Sequence, residues 1–97
     1  MNTYVIMLRY TPQGAQNIKQ APTRLDATKK MFESMGANIR EWLLTFGQYD
    51  ALMIAEAPDD ETIARLTLTL CSLGNVRTET VRAFNEAEYR AVIEGMP

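Results

Sequence analysis

Histidine is absent from the 97 residues, and cysteine occurs once, at Cys71. Without imidazole the chain has no histidine general acid or base, no His-ligated haem and no zinc site drawing on histidine. One thiol can neither close an internal disulfide nor build a thiolate-rich metal site, so no metal and no cofactor is expected. Such cysteine usage suits a reducing, cytoplasmic compartment. No apolar run approaches the ~20 residues that a bilayer span requires. No basic stretch precedes the first apolar residues, so no signal peptide is expected. An excess of positive charge is missing too. Ten Lys and Arg against twelve Asp and Glu leave a formal net charge of -2. That balance argues against nucleic acid or an anionic membrane surface as the main partner.

What is present fits one globular domain. Apolar residues make up 46% of the chain. A domain this short leaves roughly a third of its unfolded surface exposed, which favours self-association. Residues 3–10 read as a strand by their β-branched and aromatic content. Both alternating faces are apolar: Tyr4, Ile6, Leu8 and Tyr10 on one, Val5 and Met7 on the other. A strand of this kind is covered on both sides. Thr11 and Pro12 form an N-cap followed by proline at the first helical position, opening a short helix to about Gln20. The main helix runs from Pro22 to about Met35, with Leu25, Thr28, Phe32 and Met35 at helical spacing and Gly36 as its stop. Residues 38–46 and 50–56 are strands around a turn at Gly47-Gln48-Tyr49. Pro58-Asp59-Asp60-Glu61 opens a helix with acids placed well against its dipole. Ile63, Leu66, Leu70 and Leu73 form its buried face, and Gly74 ends it. Asn75–Phe84 is the fourth strand. Asn85 and Glu88 have capping-box spacing, starting a last helix to about Glu94, stopped by Gly95.

Strand, helix, strand, strand, helix, strand and a tail helix make an α+β, ferredoxin-like βαββαβ pattern. The expected antiparallel sheet order is 4-1-3-2, with the first strand central. Two helices cover only one face of such a sheet. The other face stays apolar, and either the tail helix or a second copy must cover it. The expectation is a homodimer packed sheet to sheet, since two-fold closure is the commonest.

This topology gathers polar groups at one end of the sheet. The first strand ends there at Arg9 and Tyr10, the next helix brings Gln13, the third strand starts at Tyr49 and Asp50, and the fourth at Asn75 and Arg77. As a ligand site, Arg9 or Arg77 can grip a carboxylate or phosphate as a planar fork. Tyr49 can donate a hydrogen bond or stack on a ring, and Asp50 is the candidate general base. As a structural cluster, Asp50 pairs with an arginine across strands or bonds turn amides. Both alternatives fit the residues. Trp42 belongs to a sheet face, in the core or at a dimer contact. Cys71 reads as a buried, inert thiol. Arg82 is either an interface cation or exposed.

At these segments the chain resembles the GYD-domain family. The resemblance is carried by Thr11-Pro12-Gln13-Gly14, Ile18-Lys19 with Pro22 and Arg24, Gly47-Gln48-Tyr49-Asp50, Leu73 through Thr80, and Ala83-Phe84. Any one piece is weak, whereas the ordered set is specific and spans nearly the whole chain. The resemblance implies a dimeric α/β barrel of ferredoxin-like subunits. It leaves activity open, because similar barrels host cofactor-free monooxygenases, haem-degrading enzymes, isomerases and plain ligand binders.

Three functions are therefore in play. The first is a small cytoplasmic homo-oligomer that binds a small organic ligand between helices and sheet or near the polar strand ends. A second is a cofactor-independent monooxygenase or isomerase acting on an aromatic or enolic substrate, with Asp50 as base and Tyr49 and an arginine holding the anion. The third is a structural assembly protein that uses the apolar surface around Leu68.

Overall fold

A computed structural model describes residues 1–97. The first strand, β1 (Asn2–Tyr10), buries Tyr4, Ile6 and Leu8 on one face, while Val5 and Met7 on the other are only half-buried. Thr11 caps α1 (Pro12–Gln16), accepting a hydrogen bond from the Gly14 amide. A 3₁₀ turn (Ile18–Gln20) leads into α2 (Ala21–Ser34). β2 (Asn38–Leu44) and β3 (Ala51–Ala57) follow, then α3 (Asp60–Ser72), β4 (Val76–Ala83) and α4 (Glu86–Glu94). The strands lie in the order β2-β3-β1-β4, and every pairing is antiparallel. Counted from the β4 edge, that order reads 4-1-3-2.

The core lies between the sheet and two helices. Phe32 from α2 and Ile63, Leu66 and Leu70 from α3 pack on Tyr4, Ile6 and Leu8 of β1 and on Met53 of β3. The same face of β3 otherwise carries Ala51, Ala55 and Ala57, all buried. Small side chains there let the helices approach the sheet closely. Phe32, Ile6, Met53 and Leu66 are fully enclosed, and each contributes roughly 1.5–3 kcal/mol by its removal from water.

Strand register assigns the opposite face. Val5 lies opposite Ile54 and Val81, and Met7 opposite Leu52 and Glu79. Leu43 pairs with Leu52 and continues the apolar surface onto β2. No helix covers this face. Every residue of α4 except the half-buried Glu88 is exposed, so the tail helix does not fold back over the sheet. The radius of gyration is 14.6 Å, against about 12.5 Å for a compact chain of this length. A projecting α4 accounts for that difference and for the 51 Å long axis.

Several boundaries depart from the sequence expectation. The helix after Pro12 breaks at Asn17, where φ -102 and ψ 34 leave the helical region, and restarts as the 3₁₀ turn. β2 stops at Leu44, not residue 46. The Thr45 amide donates to Asp50 O at 3.0 Å and its hydroxyl to Tyr49 O at 2.7 Å, which closes a loop in place of a two-residue turn. Leu73, expected on the buried face of α3, is the C-cap and is 60% exposed. Cys71 is half-buried and meets the Thr78 hydroxyl at 3.4 Å. Arg82 is neither free in solvent nor an orphan. It reaches Asn2 Oδ1 at 3.1 Å and Glu88 at 3.8 Å, and it stacks on Phe84.

Candidate functional site

The polar residues expected to cluster do lie at one end of the sheet, but the sheet divides them. Arg9 and Arg77 pair directly across β1 and β4. Alternation sends both to the open face. Arg9 Nε donates to Gln48 O at 2.7 Å, and its guanidinium stacks 4.9 Å above the Tyr49 ring. The Tyr49 hydroxyl donates to the Glu79 carboxylate, and that bond holds the phenol above its ordinary pKa. Together with Gln48 and Arg77 these groups line a shallow polar depression.

Tyr10 and Asn75 face the other way, toward the helices. Asp50 lies between the two sets at the rim. Its Oδ2 accepts the Tyr10 amide at 2.9 Å, and its own amide donates to Leu8 O at 2.9 Å. The carboxylate thus extends the strand pairing beyond Ala51. Gln13 bridges α1 to the α3–β4 turn, donating to Leu73 O and to Asn75 Oδ1.

The helix side holds a chamber of about 220 Å³, of whose fifteen lining residues twelve are apolar. Its floor is Leu8, Ala51 and Met53 on the sheet with Trp42 from β2. Leu25 and Met31 of α2 form one wall, and Leu70 and Leu73 of α3 the other. Tyr10, Asn75, Thr28 and Arg24 supply its polar groups. Neither Asp50 nor Tyr49 lines it. Of the seven residues chosen from the sequence, the chamber therefore takes Tyr10 and Asn75.

Close packing of α1 against β4 builds this end of the chamber. Gly14 is buried, and a β-carbon there would lie 2.0 Å from Asn75 O. Only a bare backbone fits at that separation. The Thr11 amide reaches Asn75 O at 3.1 Å, and the Thr11 hydroxyl reaches Gly74 O at 2.5 Å. Gly74 itself has φ +85, the left-handed conformation that ends α3. Arg24 fastens α2 to the same segment, donating from Nη1 to Asn17 O at 2.9 Å and from Nη2 to Gly14 O at 3.4 Å.

Arg24 and Trp42 were not picked as site residues from the sequence. A signal for Arg24 existed. Ala21, Arg24, Leu25, Thr28, Met31 and Phe32 share one stripe of α2, so a cation interrupts an apolar face. Nothing comparable marked Trp42, whose place depends on how β2 pairs.

The fold and the chamber define a ferredoxin-like α+β domain with a ligand-sized apolar space between its helices and sheet. No helix is long and apolar enough to cross a membrane, and no cluster of acidic or cysteine side chains is arranged to hold a metal ion. The family model for the GYD domain matches residues 4–93, and the chain belongs to that family. A relative from Thermus thermophilus is called "Glutamine synthetase and cystathionine beta-lyase binding protein". It is 29% identical over 89 residues, covering 91% of this chain and 94% of the relative. Among solved structures, the crystal structure of TTHA0845, also from Thermus thermophilus, superposes with a TM-score of 0.56 at 23% identity. That match covers 88% of this chain and 95% of the other, and it extends the likeness to the fold.

Proposed function

We propose that this chain is a non-catalytic binding protein that works as a homodimer and holds a small organic ligand in the helix-side chamber. The observation carrying this reading is the chamber itself. It is a concave cleft open to solvent, with twelve apolar residues among its fifteen and a few convergent polar groups, the usual make-up of a small-molecule site. An apolar body bound there would bring roughly 25 cal/mol for each Å² of apolar surface it takes out of water. Catalysis has weaker support. The one carboxylate suggested as a base, Asp50, is held by the Tyr10 amide and stands outside the chamber.

The open face supports the dimer. Four strands at about 4.8 Å spacing and seven residues at about 3.4 Å rise make a face of about 450 Å² per copy. A stable pair needs about 800 Å² per partner. The exposed stripe Tyr89, Val92, Ile93 and Met96 on and just after α4 supplies further apolar surface for a partner copy. A second reading, recognition of other proteins, is favoured by the name of the Thermus relative. The open face and α4 are the surfaces it would use.

Thermal-shift measurements with a panel of small organic acids, alcohols and amides test the chamber. Stabilisation by at least one member, lost in Leu25→Trp, is the expected result. No response from any member, or a response that survives the filling substitution, ends the proposal. Sedimentation of the full chain at micromolar concentration tests the dimer, which a lone, well-folded chain would refute.

A further inference from the structure

Arg24 is the one charged residue lining the chamber. It is half-buried in the first turn of α2 and forms no ion pair. Its two protein partners are the neutral carbonyls of Asn17 and Gly14, which leave other N–H donors of the guanidinium unused. Removing a cation from water without an opposite charge is costly. The site compounds that cost. α2 has no acidic residue in its first turn, and Gln20 makes no side-chain cap, so Arg24 sits where the helix dipole is also positive.

The other polar groups of the chamber match an anion as well. The half-buried Tyr10 has its backbone amide on Asp50, while its hydroxyl donates to no acceptor in the chain. The Asn75 side-chain oxygen is taken by Gln13, which leaves its NH₂ group as the available donor. Arginine, phenol and amide are all donors, and no carboxylate lines the space. A cationic or donor-only ligand would find no acceptor equal to it.

We infer that the chamber selects a compact monocarboxylate with an apolar, preferably aromatic body, its carboxylate on Arg24 and its body among Trp42, Met31 and Met53. This rests on the chamber reading above and names its ligand class. Size sets the scale. An engineered cavity of about 150 Å³ takes benzene, so about 220 Å³ accommodates roughly nine non-hydrogen atoms, the size of benzoate. The indole and the two methionine sulfurs offer the polarisable contacts that aromatic rings favour.

Calorimetric titration with benzoate, the neutral isostere benzamide and octanoate provides the test. Benzoate should bind at least ten-fold tighter than benzamide. Arg24→Gln should weaken benzoate by about ten- to a hundred-fold, as loss of a charge-assisted bond does, and leave benzamide within two-fold. Arg24→Lys, which keeps charge but not the fork, should fall between. Equal binding of benzoate and benzamide to the wild type, or benzoate binding unchanged in Arg24→Gln, overturns the inference while leaving the chamber as a site for neutral ligands. Tighter binding of octanoate than benzoate overturns the aromatic preference. Because Arg24 also ties down Asn17 and Gly14, a loss of fold in Arg24→Gln is checked by circular dichroism. In that case Arg24→Lys and the wild-type ratio decide.

Discussion

Gly14→Ala is the sharpest test of how this end of the molecule is built. The added β-carbon would lie 2.0 Å from Asn75 O, 2.9 Å from its carbonyl carbon and 3.1 Å from its α-carbon. All three are backbone atoms of the turn into β4, so no side chain can swing aside. Either α1 or the turn must move by about an ångström. Such overpacking costs about 1–3 kcal/mol. The move also stretches the Thr11 amide and hydroxyl bonds to Asn75 O and Gly74 O, at about 0.5–1.5 kcal/mol each. Against this, alanine is the better helix former by about 1 kcal/mol. The net expectation is a loss of about 1–5 kcal/mol, centred near 3 kcal/mol. For a domain of this size the central value lowers the melting temperature by roughly 12–24 °C. Differential scanning calorimetry at matched protein concentration reads it. Gly95→Ala is the control, because its β-carbon meets only ordinary contacts of 3.5 and 3.7 Å. A Gly14→Ala protein as stable as the wild type, or more so, would refute the close approach of α1 to β4.

Other consequences follow from the same structure. Phe32→Ala empties the centre of the core and should cost about 3–5 kcal/mol, read by urea unfolding. Ile54→Lys puts a charge in the middle of the open face, and on the proposed dimer it should shift the sedimentation profile to monomer, with circular dichroism unchanged. Asp59 caps α3 by accepting the Thr62 hydroxyl at 2.7 Å and amide at 2.8 Å, and these bonds hold its carboxyl below the ordinary value of 3.8. Its contribution is therefore full above the unfolded value and disappears as pH falls through the lowered one. Asp59→Asn, which still caps, should show a shallower stability loss below pH 3.8 in acid titrations. Burial, first, and the Asp60 carboxylate, second, push the Tyr4 phenol above 10.0. The folded state keeps that proton where the unfolded chain releases it, so stability declines as pH rises beyond about 10. Tyr4→Phe should flatten that decline in alkaline unfolding curves.

Much of this was legible in the sequence, for reasons that can be named. The caps at Thr11 and Asn85, the acidic opening of α3 at Asp59-Asp60-Glu61 and the stops at Gly36 and Gly74 are local chemistry, readable from a few adjacent residues. β1, apolar on both faces, announced a strand in the middle of the sheet. The motif set at residues 11–14, 47–50 and 73–80 pointed to the GYD-domain family, which the family model matches. The candidate site was harder. Placing Arg9, Tyr10, Asp50, Asn75 and Arg77 at one end of the sheet followed from topology. Their division between two faces depended on strand register, where one residue of shift reverses every side chain.

The sequence alone determined the order of elements, most of their caps and stops, and the chemistry excluded by the missing histidines. Those depend on neighbours along the chain. Only the tertiary structure decided that Arg24 lines a chamber, that Asp50 serves the strand edge and that α4 stands clear of its own sheet. Each of these depends on which distant backbone arrives alongside, at distances of a few ångströms that no local pattern encodes.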